Sequence, residues 1–97
     1  MSKPFVAILM GSDSDLPVMQ NAMDVLSKLG VSFEVKITSA HRTPEVTHEF
    51  VKSADQRGCG AFIAAAGMAA HLAGAVAANT LKPVIGVPID SGPLQGF

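Results

Sequence analysis

The stretch that decides the fold is PFVAILMGSDSD, residues 4–15. Its first seven residues form an apolar run, which is typical of a strand covered on both faces. The residues from Gly11 to Asp15 are small or polar, and a helical pattern follows them. A strand that turns directly into a helix is the first half of a βα unit, so this stretch predicts a sheet of parallel strands.

The next elements repeat this alternation. Large apolar residues recur at spacings of three and four from Leu16 to Leu29, and Gly30 follows where a helix C-cap belongs. Apolar and polar residues then alternate in SFEVKIT, residues 32–38, which predicts a second strand that ends at Ser39. These two patterns complete the first βαβ unit.

The rest of the chain continues the series. Thr43 is a suitable N-cap for a second helix that begins at Pro44 and runs to Gly58. The remaining predicted elements are a strand at 59–66 (CGAFIAAA), an alanine-rich helix at 68–81 and a strand at 82–89 (KPVIGVPI). The small side chains of the third helix predict close packing against a neighbouring element.

Four strands alternating with three helices predict one three-layer α/β domain over residues 1–97, with a parallel sheet and right-handed crossovers. Three helices are too few to cover both faces of so apolar a sheet. We therefore expect the domain to be incomplete at its C-terminal end, as the front part of a longer chain.

Composition narrows the classes of function. Hydrophobic residues make up 48% of the 97 residues and charged residues 15%, below the roughly 25% charged that soluble domains usually carry. We expect another subunit or further chain to cover some apolar surface. The net charge of -1 argues against general nucleic-acid or membrane-surface binding. The single Cys59 excludes an intrachain disulfide, and a soluble, cytoplasmic protein is expected because no apolar run is long enough to span a membrane.

Parallel strands bring the turns that follow them to one edge of the sheet, where ligands bind in open α/β folds. Four turns meet there and carry most of the reactive side chains: GSDSD at 11–15, SAHRTP at 39–44, AGMAAH at 66–71 and PIDSGP at 88–93. The candidate site therefore lies at this edge.

The GSDSD turn holds more polar side chains than one helix cap requires, although helix capping alone remains an alternative. Hydroxyls and backbone amides suit a phosphate, and a carboxylate suits sugar hydroxyls, so the turn predicts binding of a sugar phosphate. It lacks the glycine pattern of a dinucleotide fold or a P-loop. No further acidic residue appears in the other turns until Asp90, so a metal site is not predicted.

His41 and Arg42 form the most reactive pair, although a solvated histidine beside an ion-paired arginine is the plainer interpretation. Imidazole exchanges protons near neutral pH, and guanidinium binds phosphate or carboxylate through two parallel bonds. The pair predicts proton transfer beside an anionic substrate. His71 is either a core or interface histidine or a side chain that reaches the site from the first turn of the third helix, and His48 is expected to face solvent.

The motifs MGSDSD, SAHRTP and AAGMAAHLAG, in this order and spacing, resemble the signature turns of the N5-carboxyaminoimidazole ribonucleotide mutase family of purine biosynthesis. The resemblance runs along nearly all 97 residues. It implies a flavodoxin-like domain, a homo-octamer and a small-molecule ribonucleotide substrate, with neither metal nor organic cofactor. The implied reaction moves a carboxylate from the exocyclic nitrogen of the substrate to carbon 4 of its imidazole ring.

The resemblance also implies the site residues. His41 would be the catalytic proton-transfer residue, and Ser12, Asp15 and Arg42 would bind the nucleotide. Residues that would line the carboxylate pocket are Ser39, Ala66, Gly67 and His71.

Two other functions remain open. A related branch of the family carboxylates aminoimidazole ribonucleotide directly with CO₂, but it tends to carry Lys in place of Arg42 and to lack the AAH turn that holds His71. The other alternative is a non-catalytic flavodoxin-like module that binds a nucleotide or serves as an assembly subunit. The chain departs from the family in length, because family members continue through several further elements.

Overall fold

The computed structural model describes residues 4–12, 15–38, 44–67 and 69–89. These residues form four strands and three helices in strict alternation. The elements are β1 (Phe5–Met10), α1 (Leu16–Lys28), β2 (Ser32–Ile37), α2 (Pro44–Gln56), β3 (Cys59–Ala66), α3 (Ala69–Ala77) and β4 (Val84–Pro88).

The strands form one parallel sheet in the order β2-β1-β3-β4. β1 lies in the interior, where Phe5 pairs with Ser32 of β2 on one side and with Cys59 of β3 on the other. The chain thus moves one way from β1 to β2 and the opposite way from β2 to β3 and β4. This is the flavodoxin-like order, with its topological switch point between β1 and β3.

Alternate side chains of β1 enter two separate cores. Ala7 and Leu9 pack in a cluster with residues of α2 and α3, whereas Ile8 and Met10 pack in a second cluster with Met19 and other residues of α1. Because right-handed crossovers in opposite directions lie on opposite faces of a sheet, α1 covers one face and the other two helices cover the second. The predicted three-layer architecture is confirmed.

The face that carries α1 is only partly covered. Ile85 on β4 is 54% exposed, and Val35 and Ile37 on β2 are also exposed. The single helix α1 is too narrow to cover one face of a four-stranded sheet. The expectation that these helices leave apolar sheet surface uncovered is therefore confirmed for the residues that the structure describes.

Glycines end two helices as the sequence predicts. Gly30 after α1 and Gly58 after α2 both have positive φ, 76° and 100°, which L side chains rarely adopt. Gly86 on β4 permits the close packing expected of α3, because a Cβ built there would lie 3.4 Å from the Ala73 Cβ. None of the helices formed by the described residues is long and apolar enough to span a membrane.

The largest errors in the predicted bounds concern the third helix and the fourth strand. α3 ends at Ala77 rather than Leu81, and β4 begins at Val84 rather than Lys82. The connecting chain makes other bonds: the Thr80 hydroxyl donates to Asp55 (2.7 Å) and accepts the backbone N–H of Lys82 (3.0 Å). These polar contacts compete with continuation of the helix.

Asp55 anchors this connection at the amino ends of the strands. Besides the Thr80 hydroxyl, the Lys82 ammonium lies 3.3 Å from the carboxylate and donates to the Cys59 carbonyl (3.0 Å). The Thr80 hydrogen bond and the Lys82 charge hold the pKa of the Asp55 carboxyl below its ordinary value of 3.8. The Cys59 thiol is buried as expected, and burial raises its pKa.

Asp55→Asn should reduce the pH dependence of stability at acid pH. A lowered folded-state pKa contributes stability above the ordinary value, and this contribution is lost as the pH falls through the folded-state pKa. We expect the free energy of unfolding of the wild type to fall more steeply than that of the variant between about pH 5 and pH 2. Urea unfolding at a series of pH values measures this difference, and two parallel curves would contradict it.

Candidate functional site

Backbone hydrogen bonds extend the sheet beyond its strands at the carboxyl edge. The Gly11 N–H donates to the Ala65 carbonyl (3.0 Å), the Thr38 N–H to Met10 (2.8 Å) and the Ile89 N–H to Ala66 (3.0 Å). The turns after all four strands therefore begin from one line. The described residues thus place the starts of these turns along one edge of the sheet, as the parallel topology predicts.

Asp15 is a buried charged residue at this edge, at 5% exposed. Its carboxylate Oδ2 accepts the Ser12 N–H at 3.2 Å, and its own N–H donates to the Ser12 carbonyl at 3.1 Å. These two reciprocal bonds close the turn between β1 and α1. They hold the Asp15 carboxylate beside Gly11. A Cβ built on Gly11 would lie 3.9 Å from Asp15 Oδ2.

Asp15 occupies the N-cap position of α1, but its side chain makes no cap hydrogen bond to the helix. Asp15 therefore gives no support to helix capping as the role of the GSDSD turn. N-cap side chains usually bond the N–H of the second or third helical residue from an extended backbone. Here Pro17 supplies no N–H at the second position, and Asp15 is itself helical in conformation (φ -80°, ψ -14°).

Gly11 lets the turns after β1 and β3 approach each other. A Cβ placed on Gly11 would lie only 3.0 Å from the Ala66 Cβ, well inside ordinary carbon–carbon contact of about 3.5–4.0 Å. This approach forms the floor of the crevice at the switch point between β1 and β3. The residue needed there is one without a side chain.

The AGMAAH turn contributes three of the predicted site residues. Ala66 is buried at the end of β3, and Gly67 follows it and is exposed. His71 is exposed and lies in the first turn of α3, so the interpretation as a buried core histidine is wrong for this chain. Its position at the start of α3 places it at the same edge as Asp15.

The structure does not describe three predicted site residues: Ser39, His41 and Arg42 lie in 39–43, outside the described residues. It does describe the residues that flank them. Thr38 follows β2, and Pro44 begins α2 as predicted. These two flanking residues lie at the end of β2 and at the start of α2.

A buried pair of hydroxyls at this edge was not predicted. The Thr38 and Thr47 Oγ1 atoms lie 2.8 Å apart, and the two residues are 4% and 1% exposed. The sequence carries a signal for Thr47, because it precedes Val51 and Ala54 at helical spacing and so lies on the buried stripe of α2. A polar residue at an apolar position indicates a specific partner.

The opposite edge of the sheet holds an open groove of about 410 Å³ near the C-terminal ends of α2 and α3. Its polar groups bond one another: Asp55 binds Thr80 and Lys82. His48 is exposed as expected, yet its Nδ1 lies 2.5 Å from the Asn79 amide oxygen. The Asp55 contacts join α2 to the chain between α3 and β4, and the His48 contact joins α2 to the residues just after α3.

No three His, Cys, Asp or Glu side chains come together as a metal site within residues 4–12, 15–38, 44–67 and 69–89. The described part of the carboxyl edge offers one buried carboxylate, a buried pair of hydroxyls and small residues. The carboxylate is suited to accept hydrogen bonds from the hydroxyl groups of a ligand.

Comparison with known proteins identifies the family. Residues 5–97 match the family described as AIR carboxylase. The chain belongs to this family.

Relatives of the family share most of the sequence. The chain is 56% identical over 95 residues to the N5-carboxyaminoimidazole ribonucleotide mutase of Pyrococcus horikoshii, a match that covers 98% of this chain and 54% of that protein. It is 57% identical over 96 residues to the phosphoribosylaminoimidazole carboxylase of Saccharomyces cerevisiae, which covers 99% of this chain and 17% of that protein. The chain spans about half the length of the mutases it matches.

The fold agrees as well. The crystal structure of Treponema denticola PurE superposes with a TM-score of 0.82 at 31% identity, covering 92% of this chain and 57% of that one. The AIR carboxylase family relationship therefore holds in three dimensions. Gly11, Asp15, Ala66 and His71 lie on a framework that this relative shares.

Gly11→Ala should strain the floor of the crevice. The added Cβ meets the Ala66 Cβ at 3.0 Å, so β1 and β3 must separate at their carboxyl ends, and overpacking of this kind costs about 1–3 kcal/mol. Urea unfolding measures the loss.

Gly60→Ala is the matched control, since a Cβ there meets its nearest neighbour, Pro4, at an ordinary 3.8 Å. It should change the free energy of unfolding by less than about 1 kcal/mol. Equal losses in the two variants would show that the approach of Gly11 to Ala66 has no special cost.

Proposed function

We propose that this chain is the substrate-binding and catalytic part of an N5-carboxyaminoimidazole ribonucleotide mutase. The observation that carries the proposal is the buried Asp15 carboxylate held in the crevice between β1 and β3. The names of the related proteins support the mutase more often than the carboxylase. The positions of Asp15, Ala66, Gly67 and His71 at the carboxyl edge are consistent with this proposal, and the roles of Ser39, His41 and Arg42 follow from the resemblance to the family.

The crevice supports binding of a ribonucleotide. Asp15 has one carboxylate oxygen on the Ser12 N–H, and a buried carboxylate fixed in this way is suited to accept hydrogen bonds from ribose hydroxyls. Ser12 and Arg42 would bind the phosphate or ring, because hydroxyl and guanidinium donors match those groups. The small residues Ala66 and Gly67 would leave space for the carboxylate, and Ser39 and His71 would line the same pocket.

His41 would transfer the proton that the reaction requires. Cleavage of the nitrogen–carboxylate bond releases CO₂, and the nitrogen takes a proton to give the neutral aminoimidazole. Carbon 4 of the ring then attacks CO₂, and the proton on carbon 4 must leave. One imidazole can give the first proton and accept the second, while a closed site keeps CO₂ near the ring.

The remaining expectations extend this proposal. The enzyme would act as a homo-oligomer, an octamer in the family that the sequence resembles, in the cytoplasm and without a metal or organic cofactor. Exposed apolar side chains, among them Leu29 (71%) and Leu81 (101%), support association with further chain or a second subunit. The net charge of -1 argues against general binding of nucleic acid or a membrane surface.

The direct carboxylase remains the second candidate, since the yeast relative carries that name. Arg42 and His71 favour the mutase, because the CO₂-using branch tends to carry Lys at the first position and to lack the AAH turn. A non-catalytic module that binds the nucleotide is the third. All three candidate functions would use the same binding crevice, and they differ in the source and the fate of the carboxylate.

Label transfer tests the proposed reaction. The chain, incubated with substrate carrying a ¹³C carboxylate on nitrogen, should give product labelled on carbon 4, followed by NMR. His41→Asn should abolish transfer. His48→Asn, which alters an exposed histidine of α2 bonded to Asn79, should retain it.

Other outcomes identify the alternatives. Incorporation of label only from ¹³CO₂ supplied with unlabelled aminoimidazole ribonucleotide would favour the carboxylase. Binding without turnover, unchanged in His41→Asn, would favour the non-catalytic module.

Asp15→Ala should weaken substrate binding more than it destabilises the fold. Hydrogen bonds to a charged group contribute about 1.5–3 kcal/mol, so KM should rise by roughly tenfold to 100-fold. Asp15→Asn keeps an acceptor for the Ser12 N–H and should have a smaller effect. Kinetics and thermal melting of both variants separate the two roles: a collapsed melting temperature with unchanged binding would make Asp15 a structural residue.

A further inference from the structure

The Thr38 and Thr47 hydroxyls join the two elements that flank residues 39–43. Thr38 is the first residue after β2, and Thr47 is the fourth residue of α2. Their Oγ1 atoms lie 2.8 Å apart in an interior that leaves the residues 4% and 1% exposed. This side-chain contact therefore links the point where the chain leaves β2 to the first turn of α2.

Thr38 also connects this contact to the turn after β1. Its backbone N–H donates to the Met10 carbonyl at 2.8 Å, directly before Gly11. The end of β1, the end of β2 and the first turn of α2 thus meet at one residue. A change in the hydroxyl pair would be transmitted to both sides of the candidate site.

Packing alone does not require hydroxyls at these positions. Valine has the shape of threonine and fills a core without the cost of burying a polar group. Thr47 lies on the same buried stripe of α2 as Val51 and Ala54, where an apolar side chain is expected. The paired hydroxyls instead form a hydrogen bond, which has a defined direction and brings the two side chains closer than two methyl groups could approach.

We propose that Thr38 and Thr47 are positioning residues that set the placement of residues 39–43, and with it the approach of His41 and Arg42 to the substrate. This inference rests on the proposed function. Neither threonine is assigned a contact with the substrate. They act through the separation of β2 from α2.

The distance explains why the hydroxyls matter. Two oxygens approach to 2.8 Å only because they share a hydrogen, whereas a methyl carbon needs about 3.5 Å or more. Replacement of one hydroxyl by a methyl group therefore separates the two elements by roughly 0.7–1 Å. A misplacement of about 1 Å can cost an enzyme 100-fold in rate.

Four variants test the proposal. Thr38→Val and Thr47→Val each remove one hydroxyl and keep the side-chain shape, and the double variant removes both. Thr47→Ser is the matched control, since it keeps the hydroxyl and loses the methyl group. The readouts are kcat and KM in the label-transfer assay, thermal melting, and the amide chemical shifts of residues 39–43.

Each valine variant should lower kcat/KM by about tenfold or more. The double variant should lose less than the product of the two single losses, because the contact between the two hydroxyls is already absent in each single variant. Thr47→Ser should retain kcat/KM within about threefold of the wild type, even though it also loses core packing. Amide shifts of 39–43 should move in the valine variants and stay close to the wild type in Thr47→Ser.

Independent effects that multiply in the double variant would overturn the proposal, and so would wild-type kcat/KM in both single variants. A loss in Thr47→Ser equal to that in Thr47→Val would assign the effect to packing. If the wild-type chain transfers no label, the proposed function fails. The amide shifts then decide the positioning role separately, because they report the placement of 39–43 without turnover.

Discussion

The burial of β1 on both faces and at both edges is the constraint on which the rest of the fold depends. Ala7, Ile8, Leu9 and Met10 are fully buried, so every backbone polar group of this strand needs a partner within the sheet. β2 and β3 supply those partners on opposite sides. The chain must therefore leave β1 in one direction and return past it in the other, and the right-handed crossovers place α1 and α2 on opposite faces. Asp15 lies at this switch point, where the chain after β1 leads to α1 on one face and the chain after β3 leads to α3 on the other.

Much of this architecture could be predicted from the sequence, because the apolar period changes at each element. β3 matches its predicted bounds, because Gly58 and Gly67 flank a continuous apolar run at its two ends. The alanine-rich third helix offers little contrast between polar and apolar faces. Its predicted end at Leu81 therefore lies four residues beyond the observed end at Ala77. Its true end depends on Asp55, a residue of another helix that binds Thr80, and no local pattern contains that contact.

The candidate site was predicted less completely, for a similar reason. Topology alone brings the turns to one edge, so the location of Ser12, Asp15 and His71 could be inferred. The direction of the Asp15 carboxylate could not, because it depends on the helical backbone at Asp15 and on the missing N–H of Pro17. The contact between Thr38 and Thr47 joins residues on two elements, and a sequence read along one strand or helix at a time does not reveal it.

The parallel register of β1 also governs the order in which the chain can assemble. A parallel pair cannot form as a hairpin, and its loop-closure entropy must be paid before the strands gain any contact, which slows folding. During synthesis β2 emerges before β3, so the β3-facing edge of the most apolar strand stays unpaired until residue 66 has left the ribosome. An unpaired apolar edge is a template for pairing with other chains. The greatest hazard of aggregation for this chain therefore lies in the interval between synthesis of its second and third strands.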